Sequence, residues 1–341
     1  MNPPPPEQPD QTVQPAHPSR RRTYLLLGLA GSALLAVAAS VLLGAWAGTP
    51  ALSVNPSASP SPSPSPTPQP TATPQPTPRP FDQSMLSHRY TVLVIGEDSD
   101  RAREARGTTT RTDSMIVVSL APKQKHLSMI SIPRDTVDIP LANGLTYGGK
   151  VNGIAWEYGY EGLVGAIETL LAVHIDAYLK VDMDNFVELV DAVDGVKVTN
   201  TEWLNDAHLN LSLGPGTFRL DGATALKYVR SRYTTSDYAR AARQQHVLLA
   251  LARRYLNPEV HWNLDKVLLM LDSLKTDIDL ADLPTLMEMG RRSRKADVAT
   301  MVLSPPRFAT FWGEEPNSLR GWIMIPNLAE MRAYTKAVMG D

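Results

Sequence analysis

The sequence predicts an α/β domain, with helices packed over a mixed central sheet, carried behind a single transmembrane helix and a proline-rich linker. Three observations predict it. From residue 88 onward, short apolar runs rich in β-branched residues alternate with helical patterns. Ahead of them stand an uncharged run of 24 residues, Tyr24 to Ala47, and a stretch from 50 to 80 that holds twelve prolines.

Each element follows in chain order. At about 1.5 Å per residue, Tyr24 to Ala47 is long enough to cross a bilayer core of about 30 Å. Arg20, Arg21 and Arg22 precede it directly. The positive-inside rule therefore puts residues 1–23 in the cytoplasm and everything after residue 48 outside, so the expected location is the cell membrane, single-pass. Ala45-Trp46-Ala47 also fits a signal-peptide cleavage site, but the apolar run exceeds the roughly 7–15 residues of such a peptide. We expect an uncleaved anchor. The Pro/Ser/Thr-rich segment, bounded at 48–84, cannot bury a core; in an extended polyproline form of about 3.1 Å per residue it reaches up to roughly 90 Å.

The globular domain is expected over 85–341. "RYTVLVIG" (89–96), "SMIVVSL" (114–120) and "HLSMISI" (126–132) read as strands, as do the shorter "AYLKV" and "VKVT". "EGLVGAIETLLAV", "DNFVELVDAV", "QQHVLLALARRYL" and "LPTLMEMGRRS" carry helical spacing. The link between the second and third strands is short, which makes them antiparallel neighbours. If all three form a meander, Asp98, Arg111, Asp113 and Arg134 gather at one edge.

Composition narrows the chemistry. With 33 Lys+Arg against 35 Asp+Glu, the chain has no global basic bias of the kind that marks a nucleic-acid binder. It has no cysteine, which excludes disulfides, thiolate metal sites and a cysteine nucleophile. Its seven histidines lack zinc-site spacing. "GLTYGGK" (144–150) imitates a P-loop, but Val151 stands where Ser or Thr is needed and no strand leads into it.

Two carboxylates and two guanidinium groups at one sheet edge suit either a divalent cation with a phosphate group or a pair of surface salt bridges. The stretch "YVRSRYTTSDYARAARQQ" (228–245) adds Arg230, Arg232, Arg240 and Arg243 with a single acid. Arg240, Arg243 and Gln244 share one face of a helix that begins near Asp237. A solvated helix intersperses acids among its bases, so an oligoanion explains this face better.

Six segments in this order, "VLVIGEDSDR", "RTDSMIVVSL", "SIPRDT", "KVNGIAWEYG", "LDGATALKYVRSR" and "DYARAARQQ", resemble the LytR-CpsA-Psr family of cell-wall glycopolymer transferases. The resemblance implies an α/β/α sandwich that binds a polyprenyl-pyrophosphate-linked glycan, its lipid in an apolar tunnel. It implies transfer of the phosphoglycan to a peptidoglycan hydroxyl with Mg²⁺. By motif position, Asp98 and Asp113 would hold Mg²⁺ and act catalytically with Arg134. Arg111, Arg134, Arg230, Arg232, Arg240 and Gln244 would contact the pyrophosphate, and Arg243, of the same motif, is assigned to it with them, packing or a salt bridge being its other reading. Asp98 is preferred over Asp113 as general base. Glu97, Gly153, Ile154 and Asp194 depart from the family pattern without removing a proposed ligand. Lys150, Asn152 and Asp135 read as structural. The alternatives are hydrolysis of the pyrophosphate, a non-catalytic module for lipid-linked glycans, and a regulator; with 23 residues inside, direct DNA binding is disfavoured.

Overall fold

The computed structural model describes residues 81–107, 111–257, 274–316 and 319–339. The expected membrane helix, 24–47, and the linker as far as residue 80 lie outside the described residues; no described helix is long and apolar enough to cross a membrane. Asp82 caps helix α1 (Gln83–Ser87) and donates its backbone N–H to Thr285 Oγ1 at 2.9 Å. The chain is thus tied to the domain slightly ahead of the expected boundary at 85.

The three apolar runs form the expected meander: β1 (Tyr90–Glu97), then helix α2 (Arg101–Ala105), β2 (Thr112–Leu120) and β3 (His126–Ser131), with β1 and β3 both antiparallel to β2. Their residues are apolar almost without interruption because both faces are covered. Val92, Val94, Ile116 and Val118 point into one core, and Leu93, Ile95, Met115 and Val117 into the other, as the two-residue period of a strand requires.

A small hairpin, β4 (Ile139–Pro140) and β5 (Thr146–Tyr147), occupies the stretch that imitates a P-loop. It leads through a short 3₁₀ turn to helix α3 (Ile154–Leu171), strand β6 (Ala177–Val181), parallel to β1, and helix α4 (Met183–Ala192). Next come two ribbons outside the main sheet: β7 (Val196–Asn200) pairs with β10 (Gly216–Leu220), and β8 (Leu204–Asp206) with β9 (Leu211–Leu213). The "VKVT" strand therefore exists, but not in the central sheet.

Helices α5 (Gly222–Arg230) and α6 (Asp237–Tyr255) follow, then β11 (Lys275–Thr276), α7 (Leu283–Arg292) and β12 (Asp297–Val302). The chain continues as a hairpin, β13 (Ala309–Glu314) and β14 (Trp322–Pro326), and helix α8 (Leu328–Met339). The central sheet has six strands in the order β11-β6-β1-β2-β3-β12, mixed in direction. Residues of α4, α5 and α6 share one core with it, while those of α3 and α8 share the other. The domain is an α/β/α sandwich. One buried glutamine joins α6 to the sheet: Gln245 Nε2 donates to Ser131 Oγ and to the Met301 carbonyl, both at 2.8 Å.

Candidate functional site

The meander delivers its charges to one edge. Glu97 pairs with Thr112 across β1 and β2, and the Asp98 N–H donates to the Arg111 carbonyl at 3.0 Å. Gly96 allows the close approach here, since a Cβ on it would lie 2.9 Å from Ser114 Cβ. Arg134 follows β3 and meets three carboxylates: Asp113 at 2.9 Å, Asp237 at 3.2 Å and Asp135 at 3.5 Å. Burial alone would lower its pKa, but those three acids hold the guanidinium above its ordinary value.

Helix α6 brings the second set. Ser236 caps it, accepting from the Ala239 N–H at 3.1 Å, which leaves Asp237 in its first turn. Asp237, the single acid of the arginine stretch, is a hub: besides Arg134 it meets Arg240 at 3.5 Å and Arg232 at 3.7 Å. Arg240 is buried, and its Nε finds no hydrogen-bond partner among the described residues. Burial lowers its pKa, Asp237 offsets part of this and Arg134 adds to it. An arginine stays protonated in spite of such a shift. Three guanidinium groups gathered around one shared acid carry excess positive charge, and their forks suit an anion.

Two cavities meet at this wall. The first, about 260 Å³, has an apolar interior between the sheet and the helices, with Val94, Ile116, Phe186, Leu189, Leu248 and Leu251 in its lining. The second, about 480 Å³, is more polar and is lined in part by Asp135, Lys150, Tyr238 and Trp322. Asp113, Ser114, Arg134, Arg232, Arg240 and Gln244 line both. Asp98 and Arg230 line the first, and their side chains pair at 3.3 Å.

Two predicted contacts fall elsewhere. Arg243 lines neither cavity: it is buried under the loop between α5 and α6, donating to the carbonyls of Tyr228 and Ser231 and to Thr235 Oγ1. Its place on α6 turns it toward the end of α5, so its assignment to the pyrophosphate gives way to that of a clamp on the loop that carries Arg232. Arg111 has an exposed side chain and lines neither cavity; its carbonyl, not its guanidinium, is tied to the edge. Lys150 and Asp135 pair at 2.6 Å, as a structural reading of both requires.

A buried charge cluster on the cavity floor has no counterpart in the sequence reading. Lys180, in the middle of β6, meets Glu104 at 2.8 Å and Glu97 and Asp182 at 3.3 Å each. Glu97 and Asp182 line the first cavity. Burial pulls the Lys180 ammonium down, but its hydrogen bond to Glu104 and the charges of Glu97 and Asp182 more than offset this and hold it above its ordinary value. Tyr238 and Trp322 were likewise given no site role by the sequence; a tyrosine beside an arginine motif and a lone tryptophan carry no spacing signal.

The donor set decides what metal could fit. Among the described residues, no three acidic or histidine side chains are grouped so as to hold a cation alone. Asp98 and Asp113 line one cavity, and their ion pairs engage only Oδ1 of Asp98 and Oδ2 of Asp113. One or two carboxylates completed by substrate phosphate oxygens is the ordinary way of binding Mg²⁺, so the pair fits it.

The LytR_cpsA_psr family model matches residues 67–311. Biofilm regulatory protein A of Streptococcus mutans is 30% identical over 180 residues, which cover 49% of this chain and 44% of that protein. The polyisoprenyl-teichoic acid–peptidoglycan teichoic acid transferase TagU of Enterococcus faecalis is 32% identical over 202 residues, 57% of this chain and 63% of TagU. The chain thus spans less than two thirds of the length of these curated relatives. The solved structure of TagT bound to LI-WTA superposes with a TM-score of 0.58 at 26% identity, over 77% of this chain and 94% of that one. A family match over most of the chain, on a domain whose layers agree with those of solved relatives, leads to one statement: the chain belongs to the LytR_cpsA_psr family.

Proposed function

We propose that the protein is a membrane-anchored, Mg²⁺-dependent phosphotransferase that moves a glycopolymer from a polyprenyl-pyrophosphate carrier to peptidoglycan outside the cell. One observation carries this reading: a wall of Arg134, Arg232 and Arg240 stands between an apolar cavity and a polar one. Such a wall suits a molecule with a greasy tail, a doubly charged link and a sugar head. That TagU is named a teichoic acid transferase and TagT is seen bound to LI-WTA supports the substrate class.

In this reading the polyprenyl chain enters the first cavity and the pyrophosphate rests on Arg134, Arg232, Arg240 and Gln244. Arg230, exposed and lining the first cavity, reaches it from the rim. Arginine forks bind phosphate oxygens in pairs, and fixed positive charge stabilises the charge that gathers on them during transfer. Asp98 and Asp113 would hold Mg²⁺, which neutralises phosphate charge when bound. Arg243 contributes by fixing the loop, not by touching substrate. Outside the membrane, a proline-rich tether would give the domain both nearness to its donor and slack to reach the wall.

The test uses the full chain in detergent with a polyprenyl-pyrophosphate oligosaccharide, Mg²⁺ and a soluble peptidoglycan fragment, following products by mass. Glycan joined to the fragment through a phosphate establishes the transferase. Release of polyprenyl phosphate without joining makes the protein a hydrolase, and binding with no bond broken makes it a lipid-glycan binding module.

A further inference from the structure

We propose that the end of the domain opposite the site is a docking surface for anionic phospholipid headgroups, which stands the domain on the membrane with the arginine wall facing outward. It rests on the membrane-anchored reading, not on the transferase chemistry. The sheet gives the domain two ends. β1 and β3 finish at the site and start at the other end, β2 runs the opposite way, and β12 runs with β3. β3 alone, His126–Ser131, keeps Arg134 about 20 Å from the far end at roughly 3.3 Å per residue.

Three segments meet at that far end. Gln124 Nε2, in the turn between β2 and β3, donates to the Leu86 carbonyl of α1 at 2.8 Å. Asp82 ties α1 to Thr285 of α7, and the Asp297 N–H donates to the Lys125 carbonyl at 2.9 Å, just after the 3₁₀ turn Ser293–Lys295. Residues 81–89, 121–126 and 288–297 hold seven Lys and Arg against three Asp and Glu, a net of +4 in a chain whose formal net charge is −2. Lys123, Lys125, Arg294 and Lys295 are exposed and have no ion-pair partner among the described residues, while Arg291 and Arg292 share Glu288. Lys123 and Gln124 both hold left-handed backbone, with φ of 62° and 55°, which glycine would take more easily; the turn keeps a lysine there. A solvated face intersperses acids among such bases. Here the acids gather on the other flank, where Asp176, Asp277 and Asp282 lie close enough to Tyr90 to raise its pKa.

Two further observations point to a membrane. The described chain enters the domain at this end through Phe81, 51% exposed, so the proposed anchor and tether lead to it. The apolar cavity follows α6 from Arg240 to Leu251, about 16 Å toward the same end at roughly 1.5 Å per residue. A polyprenyl chain with its phosphates on the arginine wall therefore points its tail at the bilayer. Each Lys or Arg near an anionic surface favours contact about fivefold, so a few of them hold the domain down reversibly and the tether can still release it.

The full chain, which has no cysteine of its own, is labelled with a fluorophore at Ser87→Cys on α1 or at Ala102→Cys on α2 beside the site, then inserted in nanodiscs whose headgroup-labelled lipid accepts the excitation. In discs containing phosphatidylglycerol, energy transfer from position 87 is expected to exceed that from position 102, as about 20 Å of extra height requires. In zwitterionic discs, or with salt near about 0.5 M where screening shortens to about 4 Å, the two should converge. Lys123→Gln, Lys125→Gln, Arg294→Gln and Lys295→Gln together should lower the docked-to-lifted ratio at least about tenfold, whereas exchanging Lys for Arg and Arg for Lys at these positions should keep it. The thermal midpoint should not move, since these side chains have no packed partners to lose. Equal transfer from position 87 in both kinds of disc, an unaffected Gln variant, or greater transfer from position 102 overturns the proposal. So does binding of soluble poly(glycerol phosphate) that the Gln variant loses while the disc signal stays, which would give the patch to a glycopolymer. A chain that fails to insert in the discs ends the anchored reading and the docking surface together; one that docks but joins no glycan ends only the transferase reading.

Discussion

Replacing Lys180 by methionine removes the ammonium that three carboxylates share while keeping an unbranched chain of similar length. The side chain is 1% exposed, and two of its partners, Glu97 at 8% and Asp182 at 6%, are nearly as buried. Removing one member of a buried ion pair costs about 3–5 kcal/mol because a charge is left unmet. Here part of the loss is absorbed: Asp182 keeps two hydrogen bonds from Asn185 at 2.8 Å, and Glu97 keeps one from Ser99 at 3.1 Å and one from Tyr160 at 3.2 Å. Glu104, 38% exposed, has access to water. The expected loss is therefore at the low end, about 3 kcal/mol, still a large share of the roughly 5–15 kcal/mol that holds a domain. Urea unfolding of the full chain in detergent, followed by tryptophan fluorescence, measures it. Adding Glu97→Gln should recover about half, because the remaining unmet charge sits there. A loss below about 1 kcal/mol, or no recovery in the double variant, would refute the reasoning.

Arg240→Ala should lower affinity for a polyprenyl-pyrophosphate glycan about 10- to 100-fold, the range for charge-assisted hydrogen bonds in a buried site, with little loss of stability; titration with the donor and a thermal melt separate the two. Arg243→Met should do the reverse, costing about 2–3 kcal/mol through the orphaned carbonyls of Tyr228 and Ser231 and weakening donor binding only through the loosened Arg232 loop. Asp98→Asn with Asp113→Asn should abolish Mg²⁺-dependent turnover while leaving donor binding in excess EDTA intact; unchanged turnover would remove both from the metal site. Glu288, hydrogen-bonded by Arg291 and Arg292, has its carboxyl held down from 4.5 to about 2. A depressed folded pKa contributes stability that is fully present above the unfolded value and is lost as pH falls, so Glu288→Gln should lower stability at neutral pH, leave it nearly unchanged below about pH 2 and so flatten the acid limb between pH 4.5 and about 2, as urea unfolding at a series of pH values would show.

The central meander was legible because its signals are local. Buried strands advertise themselves by continuous apolar runs, and the short link after β2 left those two strands little choice but to pair. With that pairing fixed, Asp98, Asp113 and Arg134 had to share an edge. The helix of the arginine motif was legible too, but its orientation was not. Successive residues turn about 100°, so Arg240 and Gln244 lie about 40° apart while Arg243 lies about 100° from Gln244. Spacing puts all three on one face; only the position of α5 shows that the face divides, two side chains to the cavities and one under the loop. Lys180 was illegible for a different reason. In "AYLKV" it looks like a polar break in a strand, and the acids that neutralise it at Glu97 and Glu104 arrive from another part of the chain. Trp322 depends on an equally remote event, the bridging of β14 to the segment after Arg134.

The joint made by Gln245 bears on how quickly the site can act. Its amide fastens α6 to β3 and to the end of β12, and Gln244 and Arg240 lie within little more than a turn of it. Those side chains therefore stand on a helix whose distance from Arg134 is already set before any substrate arrives. Ordering a long, rotamer-rich side chain on binding costs about 0.5–1.5 kcal/mol each, and dipoles that must swing into place during reaction add to the barrier. A neutral glutamine in the core thus keeps the reorganisation energy of a strongly charged surface small.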